Sequence, residues 1–334
     1  MAEENHWQLI AVEEFQCPTL ASSTRLHLWW HRVLRTLGLN SAVPSEASTE
    51  SLPEEHQEFA RAPAVAALYQ ELATWMQEPE VSVSFLLDPP FSGSAAIARD
   101  WAKQYQWLQL TPPSTAQMTH LAIDEWWQQQ ATHHAPWLID DLARYLLRTV
   151  DGLAFIRALL PMLLQGDLGK GLVVCDSWTF SFLRNACSLS LPRLYCFAPA
   201  KSPLLQQVGI NASDRHLERL AGQARGNLGL ALAIWQTQSQ TESKQSNGLP
   251  TLPLTANDTT AFILYALLVH RGLTGSHLQQ VLPNVAAEQL NMQLLTLAQI
   301  GIVERQQQWW QLQAQGYLAV REFLSARGYL MDNF

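Results

Sequence analysis

The stretch that decides the fold is Val81-Ser-Val-Ser-Phe-Leu-Leu87, which is followed by Asp88-Pro-Pro-Phe-Ser-Gly93-Ser-Ala95. Its first seven residues alternate and then become fully apolar, which is typical of a strand that enters a buried sheet. A helix is predicted over residues 94–104, directly after the loop. The sequence therefore predicts a strand, a glycine-containing loop and a helix in immediate succession.

Strands and helices alternate downstream of this stretch. Beyond the helix at 94–104, the apolar patterns predict further strands at 107–110, 171–175 and 194–198, and helices at 119–130, 137–165, 179–187 and 214–237. Such alternation implies a parallel sheet that is covered by helices on both faces. The predicted fold class is therefore α/β.

The last part of the chain has a different pattern. It predicts helices at 258–270, 276–281 and 286–299, a hairpin of strands at 302–305 and 309–312, and a closing helix at 317–326. Helix, helix, helix, hairpin and helix is the layout of a winged helix. The sequence thus predicts a C-terminal winged-helix domain.

Two polar stretches divide the chain into five predicted regions. Residues 44–63 contain an acidic run without Lys or Arg, and residues 239–256 are rich in Ser, Thr, Gln, Gly and Pro, so both are predicted to be flexible linkers. The regions are an N-terminal helical extension at 1–43, with its helix at 24–37, the acidic linker, an α/β domain with a helical lid at 64–238, the second linker, and the winged helix at 257–334.

Composition excludes several classes of protein. Of 334 residues, 48% are hydrophobic and 15% charged, which excludes a disordered chain, and the net charge of −8 disfavours a general polyanion binder. The four cysteines form no C-x-x-C pair, which disfavours a zinc site or a disulfide framework and favours a reducing compartment. No signal peptide is recognised, and the apolar runs are too short to span a membrane, so we expect a cytoplasmic protein without membrane insertion.

The loop after the first strand resembles the P-loop of AAA+ and STAND NTPases. An active P-loop reads G-x-x-x-x-G-K-[ST], in which the Lys reaches the β- and γ-phosphates and the hydroxyl binds magnesium. Here Asp88 replaces the first Gly, Ser94 replaces the Lys and Ala95 replaces the Ser or Thr, whereas Gly93 is kept. Each of the three replacements opposes nucleotide binding, because a cation and a metal ligand are lost and a negative charge is added.

The run 172–178 resembles the STAND version of a Walker B motif, an apolar strand that ends in an acid. Asp176 and Trp178 match, but Ser177 stands where the second, water-activating acid would be. The strand at 194–198 has the place of a sensor strand, but Ala198, Pro199 and Ala200 at its end offer no polar side chain to sense a γ-phosphate. An acid at a strand end is also an ordinary structural cap.

Residues 224–235 resemble the lid motif of origin-recognition-type AAA+ and STAND proteins, with Leu228 in place of its proline. Arg225 is then a candidate ligand contact, although an exposed arginine at a helix start is common. In these families a P-loop core and lid are often followed by a winged helix, so the resemblance covers about residues 64–334.

The resemblance implies a P-loop NTPase-like protein without catalysis, which acts as a regulatory or scaffolding module for protein interaction. No residue is predicted to be catalytic or to bind a metal, and no cofactor is predicted. The first alternative is a nucleotide switch or weak ATPase, in which Gly93, Ser94, Asp176 and Arg225 retain ATP or ADP through backbone amides. A turn without any ligand is the plain structural interpretation.

The second alternative is a winged-helix regulator that binds DNA. The recognition helix of such a domain carries Arg and Lys, but residues 286–299 contain neither, and residues 251–334 hold four arginines against five acids. This composition favours a protein partner over nucleic acid, with Trp309 and Trp310 at the wing tip as candidate contacts. Alternation along a strand would instead turn one of the two into the core. Assembly into an oligomer is compatible with the sequence.

Two further constellations are weaker. His27 and His31 lie four residues apart in the helix predicted at 24–37, but no third metal ligand accompanies them. Ser177 lies between a strand and a helix, as a nucleophile elbow does, but Cys175 and Thr179 replace the glycines that such a strained turn needs. Both patterns favour structural roles.

Overall fold

The computed structural model describes residues 5–19, 59–78, 82–130, 135–165, 168–187, 193–241, 249–329, 332 and 334. A six-stranded sheet forms its centre. The strands are β1 (Leu9–Ala11), β2 (Val83–Asp88), β3 (Leu108–Gln109), β4 (Trp137–Ile139), β5 (Gly171–Asp176) and β6 (Leu194–Phe197). They lie in the order β1-β6-β2-β5-β4-β3, and all pairs are parallel except β1 with β6.

Helices connect and cover these strands. Those of the α/β domain and its lid are α1 (Ala62–Gln77), α2 (Ser94–Gln104), α3 (Thr115–Thr119), α4 (Ile123–Gln129), α5 (Val150–Leu164), α6 (Ser177–Ala186), α7 (Ser202–Gln207), α8 (Asp214–Gln223) and α9 (Leu228–Thr241). Every residue of β2 and β5 is buried, as expected of central parallel strands covered on both faces. The predicted α/β class with a mostly parallel central sheet is confirmed.

The C-terminal region has the predicted winged-helix arrangement. It consists of α10 (Asp258–His270), β7 (Leu273–Thr274), α11 (Gly275–Val281), α12 (Ala287–Gln299), β8 (Val303–Gln306), β9 (Trp309–Leu312) and α13 (Tyr317–Ser325). Its three strands form a sheet in the order β7-β9-β8, in which both pairs are antiparallel. The predicted elements differ from the observed ones by only one or two residues here, because each helix begins or ends at a Gly, Pro or polar cap.

The helix predicted at 137–165 is wrong at its start. Residues 137–139 form β4, residues 142–145 form a 3₁₀ turn, and α5 begins only at Val150. Trp137 pairs with Gly171 of β5, and its indole N–H donates to the oxygen of Leu168 at 2.9 Å. Pairing with β5 therefore makes residues 137–139 a strand. Three residues are too few for the sequence pattern to distinguish this strand from the helix that follows.

Two other predicted helices are interrupted. The helix predicted at 119–130 is divided between α3 and α4, which meet around a positive-φ residue, Leu121. The lid predicted as one helix at 214–237 is divided into α8 and α9, because Arg225 and Gly226 both adopt positive φ, at 57° and 79°. The helix predicted at 179–187 begins two residues earlier, at Ser177.

The N-terminal segment contributes a strand that the sequence did not predict. β1 pairs with β6 from Leu9↔Phe197 to Ala11↔Tyr195, so it forms one edge of the sheet. Trp7 is buried there, with Phe59 stacked on it at 5.6 Å between ring centroids. The predicted helix at 24–37 lies outside the described residues, as does most of the acidic linker, and the domain boundaries remain predictions.

No helix in the described parts of the chain combines the length and the apolar character that crossing a membrane requires.

Candidate functional site

Asp88, the last residue of β2, has its carboxyl group buried at the start of the loop that leads to α2. Asp88 is buried, and its Oδ2 accepts a short hydrogen bond from the Ser94 hydroxyl while its Oδ1 accepts from the Phe197 amide at 3.3 Å. Ser94 also shares a hydrogen bond with the Ser92 hydroxyl at 2.8 Å. The residues that replace the first Gly and the Lys of a P-loop therefore bind each other.

Burial also changes the protonation of Asp88. Removal of the carboxyl from water raises its pKa from 3.8 to about 7, although the hydrogen bonds from Ser94 and Phe197 act in the opposite direction. The side chain is consequently close to half ionised near neutral pH. A phosphate placed beside it would face either a negative charge or a proton already bound to the protein.

The backbone of the loop offers few donors to a phosphate. A P-loop cradles phosphates with successive backbone N–H groups, but Pro89 and Pro90 have none, and the Ser92 amide already donates to the Pro89 oxygen at 3.3 Å. Gly93 precedes α2 with φ at 84°, which a residue with a side chain adopts only under strain. Within this loop, therefore, two residues lack a backbone N–H and the N–H of a third already has an acceptor.

Other parts of the chain pack onto this loop. Asn227, at the start of α9, donates from its Nδ2 to the Pro90 oxygen at 2.5 Å. The ring of Phe91 lies 5.7 Å from that of Tyr317 in the winged helix. The lid and the winged helix therefore both contact the loop and constrain its conformation.

Asp176 lies next to Asp88 in the sheet, since the two are register partners in β5 and β2. Its Oδ1 accepts from the Trp178 amide at 2.8 Å and so caps α6. Burial raises its pKa to about 8; the charge of Arg271 lowers it, and the charge of Asp332 raises it. The hydroxyl of the neighbouring Ser177 donates to Asp332 Oδ2 at 2.6 Å.

A second acidic strand end was missed by the sequence analysis. Asp140 and Asp141 directly follow the apolar strand β4, which lies beside β5. An apolar strand that ends in acids is the same description that selected Asp176, so the signal was present in the sequence. It was overlooked because the residues were assigned to a helix.

The two acids of this pair already have protein partners. Asp140 Oδ2 accepts from Arg99 at 3.0 Å and from Gln109 at 2.9 Å, whereas its Oδ1 is buried without a partner among the described residues. Asp141 lies 3.6 Å from Arg271 of the winged helix, and burial raises the pKa of its carboxyl. Arg271 of the winged helix is therefore already paired with one of these two acids.

Arg225 lies in the turn between α8 and α9. Its Nε and Nη2 donate to the main-chain oxygen of Phe334 at 3.1 and 2.9 Å, and Nη2 also approaches Cys17 Sγ at 3.4 Å. Of the four residues predicted as nucleotide contacts, the structure brings Gly93, Ser94 and Asp176 to one edge of the sheet. Arg225 instead donates to Phe334, and Asn227, two residues further along the chain, is the lid residue that donates to the loop.

The wing tip separates its two tryptophans. Trp310 is buried beneath Arg305, whose guanidinium lies 5.7 Å from the ring centroid, whereas Trp309 is 43% exposed near His277. Alternation along β9 explains the difference. Trp309 is therefore the member of the pair that a partner could reach. On α12, Met292 and Leu295 are also exposed, at 62% and 58%.

No group of three or more His, Cys, Asp or Glu side chains within the described ranges has the spacing to hold a metal ion. Cys17, Cys175, Cys187 and Cys196 are free thiols.

Comparison with known proteins adds distant structural neighbours. No protein-family model and no curated protein matches the chain. A Walker-type ATPase of Pyrococcus abyssi is 10% identical with a TM-score of 0.31, over 81% of this chain and 99% of that one. The ORC2 protein of Aeropyrum pernix, in ADPNP and ADP complexes, is 13% identical with a TM-score of 0.34, over 84% and 97%. Drosophila ORC bound to DNA is 14% identical with a TM-score of 0.37, over 88% and 100%.

Proposed function

We propose that this chain is a P-loop NTPase-like protein that does not turn over nucleotide and that serves as a regulatory or scaffolding module. The observation that carries the proposal is the hydrogen bond between Asp88 and Ser94 inside the loop. It places a carboxyl group where phosphates would lie and engages the residue that replaces the lysine. The two prolines, which lack N–H groups, support the same conclusion.

The partners of the buried acids also support the proposal. Metal-assisted phosphoryl transfer needs carboxylates that are free to hold magnesium directly or through water. Here Asp176 caps a helix, Asp140 accepts from Arg99, and Asp141 is paired with Arg271. A magnesium ion would have to compete with each of these groups.

Hydrolysis is tested by phosphate release from ATP and GTP with magnesium. We expect no release above that of the Asp176→Ala and Asp140→Ala variants, since neither acid has a catalytic role in this proposal. Turnover by the wild-type protein that either substitution abolishes would contradict it. Far-UV circular dichroism of the variants shows whether the fold is retained.

The winged helix supplies the surface for protein interaction in this proposal. Its exposed large apolar side chains are Phe262, Trp309, Met292 and Leu295, and the last two project from a helix without Lys or Arg. Exposed tryptophan is enriched at the anchors of protein interfaces. The same composition disfavours DNA, whose phosphates require cations.

Capture from extracts of the cells that produce the protein tests this surface. A bound protein should be lost when Trp309→Ala is combined with Met292→Ala, and retained in Leu254→Ala, which removes a still more exposed apolar side chain elsewhere. Equal recovery with all three baits would place the interaction on another face. A DNA mobility shift that weakens steeply with salt would instead favour the DNA-binding alternative.

One observation favours the nucleotide switch as the second candidate. Asp140 Oδ1 is buried without a hydrogen-bond donor among the described residues, and a buried carboxylate oxygen normally has one. A magnesium ion or a magnesium-bound water would satisfy it. A thermal-shift titration with nucleotide decides between the two candidates.

A further inference from the structure

Asp332 follows the last helix and inserts into the body of the protein. It is 8% exposed. Its Oδ2 accepts from the Ser177 hydroxyl at 2.6 Å and from the Tyr317 hydroxyl at 3.4 Å, and its Oδ1 accepts from Arg321 Nη2 at 3.0 Å. A single carboxylate is thus bound by two hydroxyls and one guanidinium, which is a complete anion site.

Phe334 lies beside it and is 4% exposed. Its main-chain oxygen accepts from both Arg225 and Arg321, at distances from 2.8 to 3.1 Å. Its ring packs against Phe15 of the N-terminal segment, with 4.6 Å between centroids. The site therefore also contains a carbonyl-binding pair of arginines and an aromatic contact.

The groups that hold these two residues come from four separate parts of the chain. Ser177 begins α6 of the core, Arg225 belongs to the lid, Arg321 and Tyr317 to the winged helix, and Phe15 to the N-terminal segment. Arg321 donates to the Asp332 carboxylate, and Arg225 and Arg321 both donate to the main-chain oxygen of Phe334. The charge and shape of the assembled site thus complement a short peptide with an acid and, two residues later, an aromatic side chain.

Asp332 and Phe334 belong to no helix or strand. Their removal would break no sheet ladder, but it would leave the side chains of Ser177, Arg225 and Arg321 without these partners. Arg321 Nε already lacks a partner within the described part of the chain, so the site holds a donor that the present occupant does not use. These features are those of a bound peptide rather than of an element that the fold requires.

We propose that Ser177, Tyr317, Arg225, Arg321 and Phe15 form a binding site for an acidic–aromatic peptide, and that Asp332 and Phe334 occupy it in cis. The occupied site joins the core, the lid and the winged helix. It adjoins Asp176, and Tyr317 also contacts Phe91 of the loop. Release of the segment would therefore remove one set of contacts between the winged helix and the core beside the candidate site. The inference does not depend on whether the loop binds nucleotide.

The test adds the peptide in trans. The probe is Gly-Tyr-Leu-Met-Asp-Asn-Phe, the sequence of residues 328–334, with a fluorescent label at its amino end and an amide at its carboxyl end. Binding is followed by fluorescence anisotropy against the full-length wild type and the double variant Asp332→Ala/Phe334→Ala. We expect the peptide to bind the double variant at least about tenfold more tightly, because a site occupied in cis lowers the apparent affinity by the fraction that is free.

Two controls define the result. Replacement of the aspartate in the probe by asparagine should weaken binding to the double variant by about tenfold, the loss expected for a charge-assisted hydrogen bond. Addition of Arg225→Ala to the double variant should weaken binding of the original probe. If the double variant is folded and does not bind the probe, or binds it no better than wild type does, the proposal is wrong. If the double variant does not fold, Asp332→Asn replaces it, with the same two outcomes.

Discussion

At the scale of single residues, the site is defined by acids that are buried and engaged by the protein. Asp88 and Asp176 lie side by side at the ends of two central strands, and burial raises the pKa of both above neutrality or close to it. Keeping both buried carboxyl groups ionised would cost free energy, because a charge that is removed from water loses its hydration. At neutral pH these two carboxyl groups are therefore still partly protonated.

The pH dependence of stability follows from the sign of these shifts. The folded state keeps its protons up to about pH 7 at Asp88 and about pH 8 at Asp176, whereas the unfolded chain releases them near the ordinary value of 3.8. Their contribution to stability is therefore complete below about pH 4 and is lost as the pH rises through 7 and 8. Each unit of difference in pKa corresponds to about 1.4 kcal/mol.

We expect Asp88→Asn to flatten this dependence. Relative to wild type, the variant should gain unfolding free energy between pH 5 and pH 8, on the order of 2 kcal/mol, because it has no carboxyl to ionise. Urea unfolding at several pH values measures the gain. Asp258→Asn, which removes an exposed carboxyl, is the matched control. A difference between Asp88→Asn and wild type that stays constant from pH 5 to pH 8 would show that Asp88 is not held as described.

At the scale of elements, the sequence predicts a strand or helix well where its pattern is long and badly where it is short. β2 and β5 each contain an apolar run and end in an aspartate, and both were predicted. β4 has three residues and merges into a helical pattern, so its acids were missed, and β1 is visible only through its pairing with β6. The contact between Ser177 and Asp332 spans 155 positions and has no local signal.

Packing between β4 and β5 leaves room for only a glycine. A Cβ atom at Gly171 would lie 2.1 Å from Cζ2 of Trp137, a ring that is fully buried and held by its bond to Leu168. We expect Gly171→Ala to lower the unfolding free energy by about 1–3 kcal/mol or more, the usual effect of overpacking. Urea unfolding measures it.

Gly275→Ala is the control for this substitution, because a Cβ there meets no atom within 4 Å and φ is not positive. Its effect should be near zero. Equal effects of the two substitutions would mean that the ring of Trp137 does not lie over β5.

At the scale of the whole molecule, the winged helix is docked on the core. Thr179 donates to the oxygen of Val269 at 2.7 Å, and the Arg148 amide donates to His270 Nε2 at 3.0 Å. Arg271 pairs with Asp141 beside them. The three contacts come from consecutive residues at the end of α10. The predicted linker at 239–256 gives no hint of this docking, because long-range packing leaves no periodic signal in the sequence.

His270 makes this docking sensitive to acid. Burial lowers its pKa to about 4, so the folded protein keeps it neutral while the unfolded chain takes up a proton near 6.5. Stability from this residue is therefore complete above about pH 6.5 and is lost as the pH falls towards 4. Relative to wild type, His270→Gln should gain up to about 2 kcal/mol between pH 6.5 and pH 5 in urea unfolding. A gain of zero would contradict the neutral, buried imidazole.

We propose that the loop after β2 does not bind nucleotide, and a thermal-shift titration of the full chain tests this claim most directly. ATP, ADP and GTP are each added with and without magnesium, to a protein shown to be folded by circular dichroism. A ligand at 100 times its Kd contributes about 2.7 kcal/mol, or several degrees in Tm for a chain of this size. We predict no saturable shift. A saturable shift that is lost in Asp176→Ala would contradict the claim and establish the nucleotide switch instead.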